Sequence, residues 1–197
     1  SALTRLRAGA ADPAAPPPAP VRNWYDVGAF DLAAALDAER RSEMFHGDPQ
    51  APALGGSVAD WGGDTPSADE LRQSRAALAG RPLRREIFGL DGSDHEDVPF
   101  VVEEWSYTVR REQAATPAEG RAAFFVGERE HLSAAYERDA ADPRVSHDLT
   151  FAYDDTGQPL RGCAVAYRRR GVPPGSDDPQ GRTWVLASDD TWLPARD

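Results

Sequence analysis

Three side chains in the last third of the chain have the types that cysteine-dependent hydrolysis needs. Cys163 would supply a thiolate, His147 a base and Asp148 a carboxylate that orients the base. Cys163 alternates with apolar Val165 and Tyr167, which is the period of a strand with one packed face. We therefore interpret Cys163 as structural. A cryptic cysteine hydrolase stays as our third hypothesis, and a thiol probe tests it.

Acidic residues form a second group with possible chemistry. One cluster has the oxygen and imidazole ligand types of a divalent cation site and comprises Asp91, Asp94, His95, Glu96 and Asp97. Its spacing is not that of a calcium-binding loop, so we expect a solvated turn. Glu103 and Glu104 have the types of an acid–base pair, but neighbouring strand residues point to opposite faces. We predict no catalytic, metal or cofactor site.

A run of arginines closes the same region of the chain. Arg168, Arg169 and Arg170 have the charge and geometry to bind a phosphate or the acidic face of a partner. Charge runs at strand ends are typically solvated. We predict these three residues only as candidate contacts with a partner protein.

The composition excludes several functional classes. The net charge is −11, from 33 acidic and 22 basic residues, and every basic residue is arginine. An acidic chain does not offer the basic field that nucleic acids and anionic membranes require. The single cysteine excludes an intrachain disulfide, and no apolar run approaches the roughly 20 residues of a membrane span. We see no signal peptide, and we expect a piece of a longer protein because the chain begins with Ser1.

The N-terminal part reads as a linker followed by helices. Residues 1–22 are rich in proline and alanine, which predicts a semi-stiff linker, and residues 23–197 are predicted to form a single domain. Within it we predict a helical part over residues 23–80. A short amphipathic helix covers residues 31–44, and a second helix follows Ser67.

The second helix carries the clearest local signal in the chain. Ser67 and Glu70 have the spacing of a capping box, in which serine and glutamate satisfy each other's backbone amides. Gly80 and Pro82 then predict the end of the helix.

Beyond Pro82 the pattern changes to period two, which predicts antiparallel strands over residues 82–197. The predicted strands cover residues 83–90, 98–111, 121–126, two runs around a turn at 154–158, and 182–188. In the second strand, apolar residues at odd positions are expected to share one face, with Val101, Trp105, Tyr107 and Val109 as members. Glu103 falls on that face, so we expect it near an edge or paired with arginine. The fold class is therefore α+β, mostly antiparallel sheet with two short N-terminal helices.

One hairpin stands out among these strands. Tyr153 precedes the turn, Asp154 can bond the backbone two residues on, and Gly157 can adopt a positive φ without steric cost. This Tyr-Asp-…-Gly unit resembles the repeat of large shell-forming toxins.

Several strings in a fixed order extend the resemblance to one family, the B component of bacterial insecticidal toxin complexes, in the middle-to-C-terminal region of its long chain. The strings are WYDVGAF at 24–30, GDPQ at 47–50, GRPLRRE at 80–86, GLDGS at 89–93 with PF at 99–100, and the block from YERD at 136–139 to YRRR at 167–170. Residues 51–66 and 172–197 match no string of that family.

The resemblance implies a structural, non-catalytic role. It implies a segment of a hollow β-walled shell built with a C component, which encloses a toxic cargo, and a secreted protein that docks on a pore-forming A component. The region would then form wall or closure of the shell, beside the repeats. The alternative is a carbohydrate- or protein-binding β module of a secreted or surface protein, with Trp61, Trp184 or Trp192 as contacts.

Overall fold

The computed structural model describes residues 19–191 apart from residues 117 and 119. Most of the predicted linker (1–18) lies outside the described residues, as does Trp192. The elements in chain order are β1 Val21–Tyr25, α1 Ala33–Glu43, β2 Val58–Asp60, α2 Ala68–Ala76, β3 Pro82–Ile87, β4 Val101–Gln113, β5 Ala123–Ala135, β6 Arg144–Tyr153, β7 Pro159–Ala166, a 3-10 turn Pro179–Gly181, and β8 Trp184–Asp189. None of the helices among the described residues is long and apolar enough to span a membrane.

All eight described strands belong to one sheet. Its order is β1-β3-β4-β5-β6-β7-β8, and β2 joins the edge of β4 that faces β3. The main path is antiparallel throughout, so the predicted α+β class is confirmed. Only β2 pairs in parallel, at Thr108–Arg110 of β4.

The segment predicted as helical, residues 23–80, also contains two strands. β1 begins at Val21, inside the range predicted as linker, and pairs with β3 from Val21–Ile87 to Tyr25–Pro82. The β2 strand has only three residues, and all of them are exposed. Both strands are stabilised by partners far along the chain, so neither leaves a strong local pattern.

The predicted capping box is present at the start of α2. Ser67 Oγ accepts a hydrogen bond from the Glu70 amide at 3.2 Å, and Glu70 Oε2 accepts one from the Ser67 amide at 2.9 Å. The bond from the Ser67 amide, followed by those from the Ala115 amide, the Ser67 hydroxyl and Arg111, outweighs desolvation and lowers the pKa of Glu70 to about 2. Gly80, with φ +81°, follows the helix.

A bulge in β5 places apolar residues on both faces of the sheet. Ser106 pairs with Glu130 and Tyr107 with Glu128, so Arg129 is the extra residue. Leu132 and Ala134 therefore face one side with Val102, whereas Phe124 and Val126 face the other with Tyr107 and Val109. The core thus has two clusters, one on each face of β4.

This arrangement corrects one prediction and confirms another. Alternation keeps Val101, Trp105, Tyr107 and Val109 on one face of β4 as predicted, but Val102 and Ser106 are buried on the opposite face, so the strand has two packed sides and not one. Glu103 is paired with arginine as predicted, at 3.3 Å from Arg85.

Residues 44–57 cross one face of the sheet without regular structure, and we call them the strap. Phe45 and Leu54 of the strap pack on the cluster that contains Val102. The Phe45 amide donates to the carboxylate of Glu86 at 2.8 Å, and the Gly55 amide donates to Glu130 at 3.1 Å. The strap is therefore fixed to the sheet near both of its ends.

Candidate functional site

The hairpin between β6 and β7 is held by its aspartate. Asp154 Oδ1 accepts hydrogen bonds from the amides of Thr156 and Gln158, both at 2.8 Å, and from the Thr156 hydroxyl. The backbone bond from Gln158 is the main reason that the pKa of Asp154 lies below its ordinary value. Gly157 has φ +87°, a conformation that costs other residues free energy.

Strands β4 and β5 form a platform under this hairpin. The Tyr153 ring lies over Gly127, where an added Cβ would come within 2.6 Å of Tyr153 Cζ. Its hydroxyl donates to the carbonyl of Glu128, and its ring meets Phe125 edge-on at 5.0 Å. Arg110 stacks on Phe125 and donates to the carbonyl of Asp154 at 2.9 Å. The hairpin is therefore locked to the sheet at a fixed angle.

The three arginines after β7 are engaged within the domain. Arg168 donates to the carbonyl of Val172 at 3.1 Å, and Arg169 pairs with Asp142 at 2.9 Å. Arg170 places both of its terminal nitrogens 2.9 Å from the two carboxylate oxygens of Asp48 in the strap. Arg169 and Arg170 are thus used as internal ties.

Asp48 is the centre of the tie to the strap. Its side chain also accepts hydrogen bonds from the Tyr136 hydroxyl at 3.1 Å and from the Gln50 amide at 2.9 Å. Burial opposes ionisation of Asp48, but Arg170, the Gln50 amide and Tyr136 outweigh it and lower the pKa of Asp48. We call the group of Asp48, Tyr136 and Arg170 the latch.

The far edge of the sheet is open. All six residues of β8 are exposed, with Trp184 at 56%, Val185 at 63% and Leu186 at 75%. The Asp190 amide donates to the Leu160 carbonyl at 2.7 Å. Because hydrogen-bonded and non-bonded pairs alternate along an antiparallel pair of strands, this bond shows which residues of β8 bond to β7. Even-numbered residues of β8 therefore bond to β7, whereas the backbone groups of Val185, Ala187 and Asp189 point outward.

No side-chain hydrogen bond among the described residues joins the three residues proposed for cysteine chemistry, Cys163, His147 and Asp148. Cys163 lies opposite Leu149 across the hairpin, and His147 lies opposite Val165. The Nδ1 atom of His147 is 3.2 Å from the Tyr167 hydroxyl. Alternation places the Asp148 side chain on the other face of β6 from His147.

The acidic candidates are also separated or used elsewhere. Asp91 accepts a forked pair of bonds from Arg138, which is the main cause that lowers the pKa of Asp91. Glu104 pairs with Arg84, on the opposite face from Glu103. Among residues 19–191, leaving aside 117 and 119, no cluster of histidine, cysteine and acidic residues has the arrangement of a metal site.

Comparison with known proteins agrees with this geometry. A family model described as the insecticide toxin TcdB middle/C-terminal region matches residues 73–193, which is more than half of the chain. The chain belongs to this family. No curated protein sequence matches this TcdB-type region.

Solved structures resemble this TcdB-type region over most of its length. The crystal structure of TcdB2–TccC3–Cdc42 matches with 33% identity and a TM-score of 0.71, covering 85% of this chain and 8% of that one. TcdB2–TccC3–TEV matches with 28% identity and a TM-score of 0.77, covering 94% and 9%. The Tc holotoxin pore of Photorhabdus luminescens gives the same values. This chain therefore spans less than a tenth of the chains it resembles.

Sequence reasoning missed the residues that fix this TcdB-type region internally. Asp48 and Tyr136 lie in two of the strings that carry the resemblance, but neither string indicated that the two side chains meet. Arg110 of the platform gave no signal, because a single arginine in a strand is ordinary. Trp61, predicted as an exposed contact, instead packs edge-on against Phe124 at 5.9 Å.

Proposed function

We propose that this region is a non-catalytic wall segment of the hollow shell that a secreted toxin-complex B component builds with its C component around a toxic cargo. The edge of β8, which no described strand covers, carries the proposal. An exposed edge strand with apolar side chains is a liability for a free domain and can be a joint within a larger sheet. Membership of the TcdB family and the likeness to complexes of TcdB2 with TccC3 support the C component as the partner. Docking on a pore-forming A component belongs to the whole protein under this proposal.

The locked hairpin also fits a wall element. Tyr153 and Asp154 fix the β6–β7 turn on the platform through contacts on both β4 and β5. Such a turn holds consecutive strands at one angle, and a closed wall needs its strands to keep a constant tilt. The role of Tyr153, Asp154 and Gly157 is therefore structural in this proposal.

A proline at position 187 tests the proposal. The amide of Ala187 points away from β7, so Ala187→Pro removes a bond only from the outer side, where edge strands tolerate proline. We expect the isolated chain to fold normally and the B component carrying this variant to fail in retaining cargo with its C component. Ser188→Pro is the matched control, because it removes a bond to β7 and should destabilise the isolated chain. Full cargo retention by Ala187→Pro would contradict the proposal.

A binding module remains the rival proposal, and exposed Trp184 supports it. Aromatic faces suit sugars and partner patches, although the Trp184 indole N–H donates to the Pro179 carbonyl at 3.0 Å. The test is to titrate the chain with a glycan that binds it on a glycan array and to follow tryptophan fluorescence. Saturable quenching that is abolished in Trp184→Ala would favour this rival over the wall segment.

A further inference from the structure

A cavity of about 540 Å³ lies between the strap and the sheet. It occupies a notch in the sheet edge. β3 pairs with β4 at Val101–Glu104 and β2 pairs with the same edge at Thr108–Arg110, so residues 105–107 have no strand beside them there. Trp105 and Ser106 line the cavity at this notch. The size is that of pockets that bind small molecules.

One arginine in the wall of the cavity has no acidic partner among the described residues. Arg75 of α2 is half-buried and lines the cavity, and no described residue forms an ion pair or hydrogen bond with its guanidinium. The other partly buried arginines there are neutralised: Arg40 pairs with Asp37, and Arg84 pairs with Glu86 and Glu104.

None of the other described charged residues at the cavity forms an ion pair with Arg75. Asp26 also lines the cavity, and its Oδ1 accepts from the Gly28 amide at 2.7 Å. The carboxylate of Asp48 belongs to the latch. Exposed Arg41 adds a further guanidinium that has no acidic partner among the described residues.

We propose that this cavity binds a small carboxylate with an apolar body. Arg75 would pair with the carboxylate. Leu54, Val102 and Leu132 line the cavity and would cover the apolar body. This site is independent of the shell role, because it lies at the strap and not at the β8 edge.

Calorimetric titration of the full 197-residue chain with 3-phenylpropionate tests the proposal, with 3-phenylpropionamide and inorganic phosphate as the comparison probes. We expect saturable binding of the carboxylate at one site, and at least about tenfold weaker binding of the neutral amide, because a charge-assisted bond is lost. Inorganic phosphate should also bind at least about tenfold more weakly, because it has no apolar body. Absence of saturable binding of 3-phenylpropionate, or an affinity for either comparison probe equal to that for 3-phenylpropionate, would overturn the proposal.

Variants locate the site. Arg75→Gln should weaken carboxylate binding at least about tenfold. The matched control is Arg72→Gln, which removes an exposed arginine of the same helix that pairs with Asp69 at 2.9 Å, and it should leave affinity unchanged. Equal losses in Arg72→Gln and Arg75→Gln would contradict the assignment.

Discussion

The two terminal nitrogens of Arg170 each donate a hydrogen bond of 2.9 Å to one carboxylate oxygen of Asp48, and they join residues that are 122 positions apart in the chain. The pair is largely buried on the Asp48 side, where 2% of the side chain is exposed, and Arg170 is 25% exposed. This contact fixes the strap to the segment that follows β7. It is the longest-range tie among the polar contacts described above.

The latch is expected to contribute strongly to stability. Arg170→Ala leaves Asp48 buried with only Tyr136 and Gln50 as partners, and should lower the free energy of unfolding by about 2–4 kcal/mol. Urea unfolding measures this loss. Arg168→Ala is the control, since Arg168 bonds only to an exposed carbonyl, and it should change stability by less than about 0.5 kcal/mol.

A double-mutant cycle separates the latch from simple loss of arginine packing. Asp48→Ala and Arg170→Ala should show a coupling energy of about 1–3 kcal/mol, because the two side chains bond directly to each other. Additive effects would mean that the contact contributes little to the fold.

The platform under the hairpin depends on the absence of a side chain at Gly127. Gly127→Ala places a Cβ against the rings of Tyr153 and Phe125 and should cost about 1–3 kcal/mol in urea unfolding, because the Tyr153 ring is held by its bond to Glu128. Gly56→Ala is the matched control, since its Cβ would have nothing within 4 Å. If Tyr153→Ala restores part of the stability lost in Gly127→Ala, the clash with the Tyr153 ring contributes to the loss. If the two losses simply add, it does not.

Acidification should weaken the fold in two separate ranges. Burial lowers the pKa of His147 below its ordinary 6.5, with Glu130 and Asp148 opposing the shift. As pH falls below about 6.5, His147 therefore binds a proton in the unfolded chain before it does so in the folded chain. The free energy of unfolding declines from there until pH reaches the lower pKa of His147 in the folded chain, and then levels off. His147→Gln should remove this upper decline, whereas exposed His46→Gln should leave it unchanged.

The lower range comes from carboxylates. The pKa values of Glu70 and Asp48 are lowered in the folded chain, so their contributions are present above their unfolded pKa values and are lost as pH falls through the folded ones. For Glu70 this range runs from about 4.5 down to about 2. The lower decline should persist in His147→Gln. An unchanged upper decline in that variant would rule out His147 as its source.

Local chemistry explains which elements could be predicted from sequence. The capping box at Ser67 and the turn at Asp154 depend on bonds within four residues, so their spacing is visible in the chain. The α+β class follows from period-two patterning after Pro82. The bulge at Arg129 interrupts the period-two pattern in β5. Before it, the apolar residues Phe124 and Val126 lie on one face, and after it Leu132 and Ala134 lie on the other. The prediction therefore ended at residue 126, nine residues before the strand does.

Contacts between distant segments could not be predicted in this way. β1 is held by β3 more than 55 positions later, and the latch joins the strap to the chain beyond β7. Neither contact leaves a periodic signal. Arg169 and Arg170 looked like part of a solvated charge run, because the acidic partner of Arg169, Asp142, lies 27 positions away and that of Arg170, Asp48, lies 122 positions away.

Hydrogen exchange at β8 tests the central claim most directly. The amides of Val185, Ala187 and Asp189 point away from β7, so in the isolated chain they should exchange at rates close to those of an unstructured peptide. In the complete B component assembled with its C component, the same amides should exchange at least about 100-fold more slowly, because a neighbouring strand accepts their hydrogen bonds. The amides of Leu186 and Ser188, which bond to β7, are the internal reference in both samples. Rapid exchange of Val185, Ala187 and Asp189 in the assembled toxin would show that β8 remains a free edge and would contradict the wall segment.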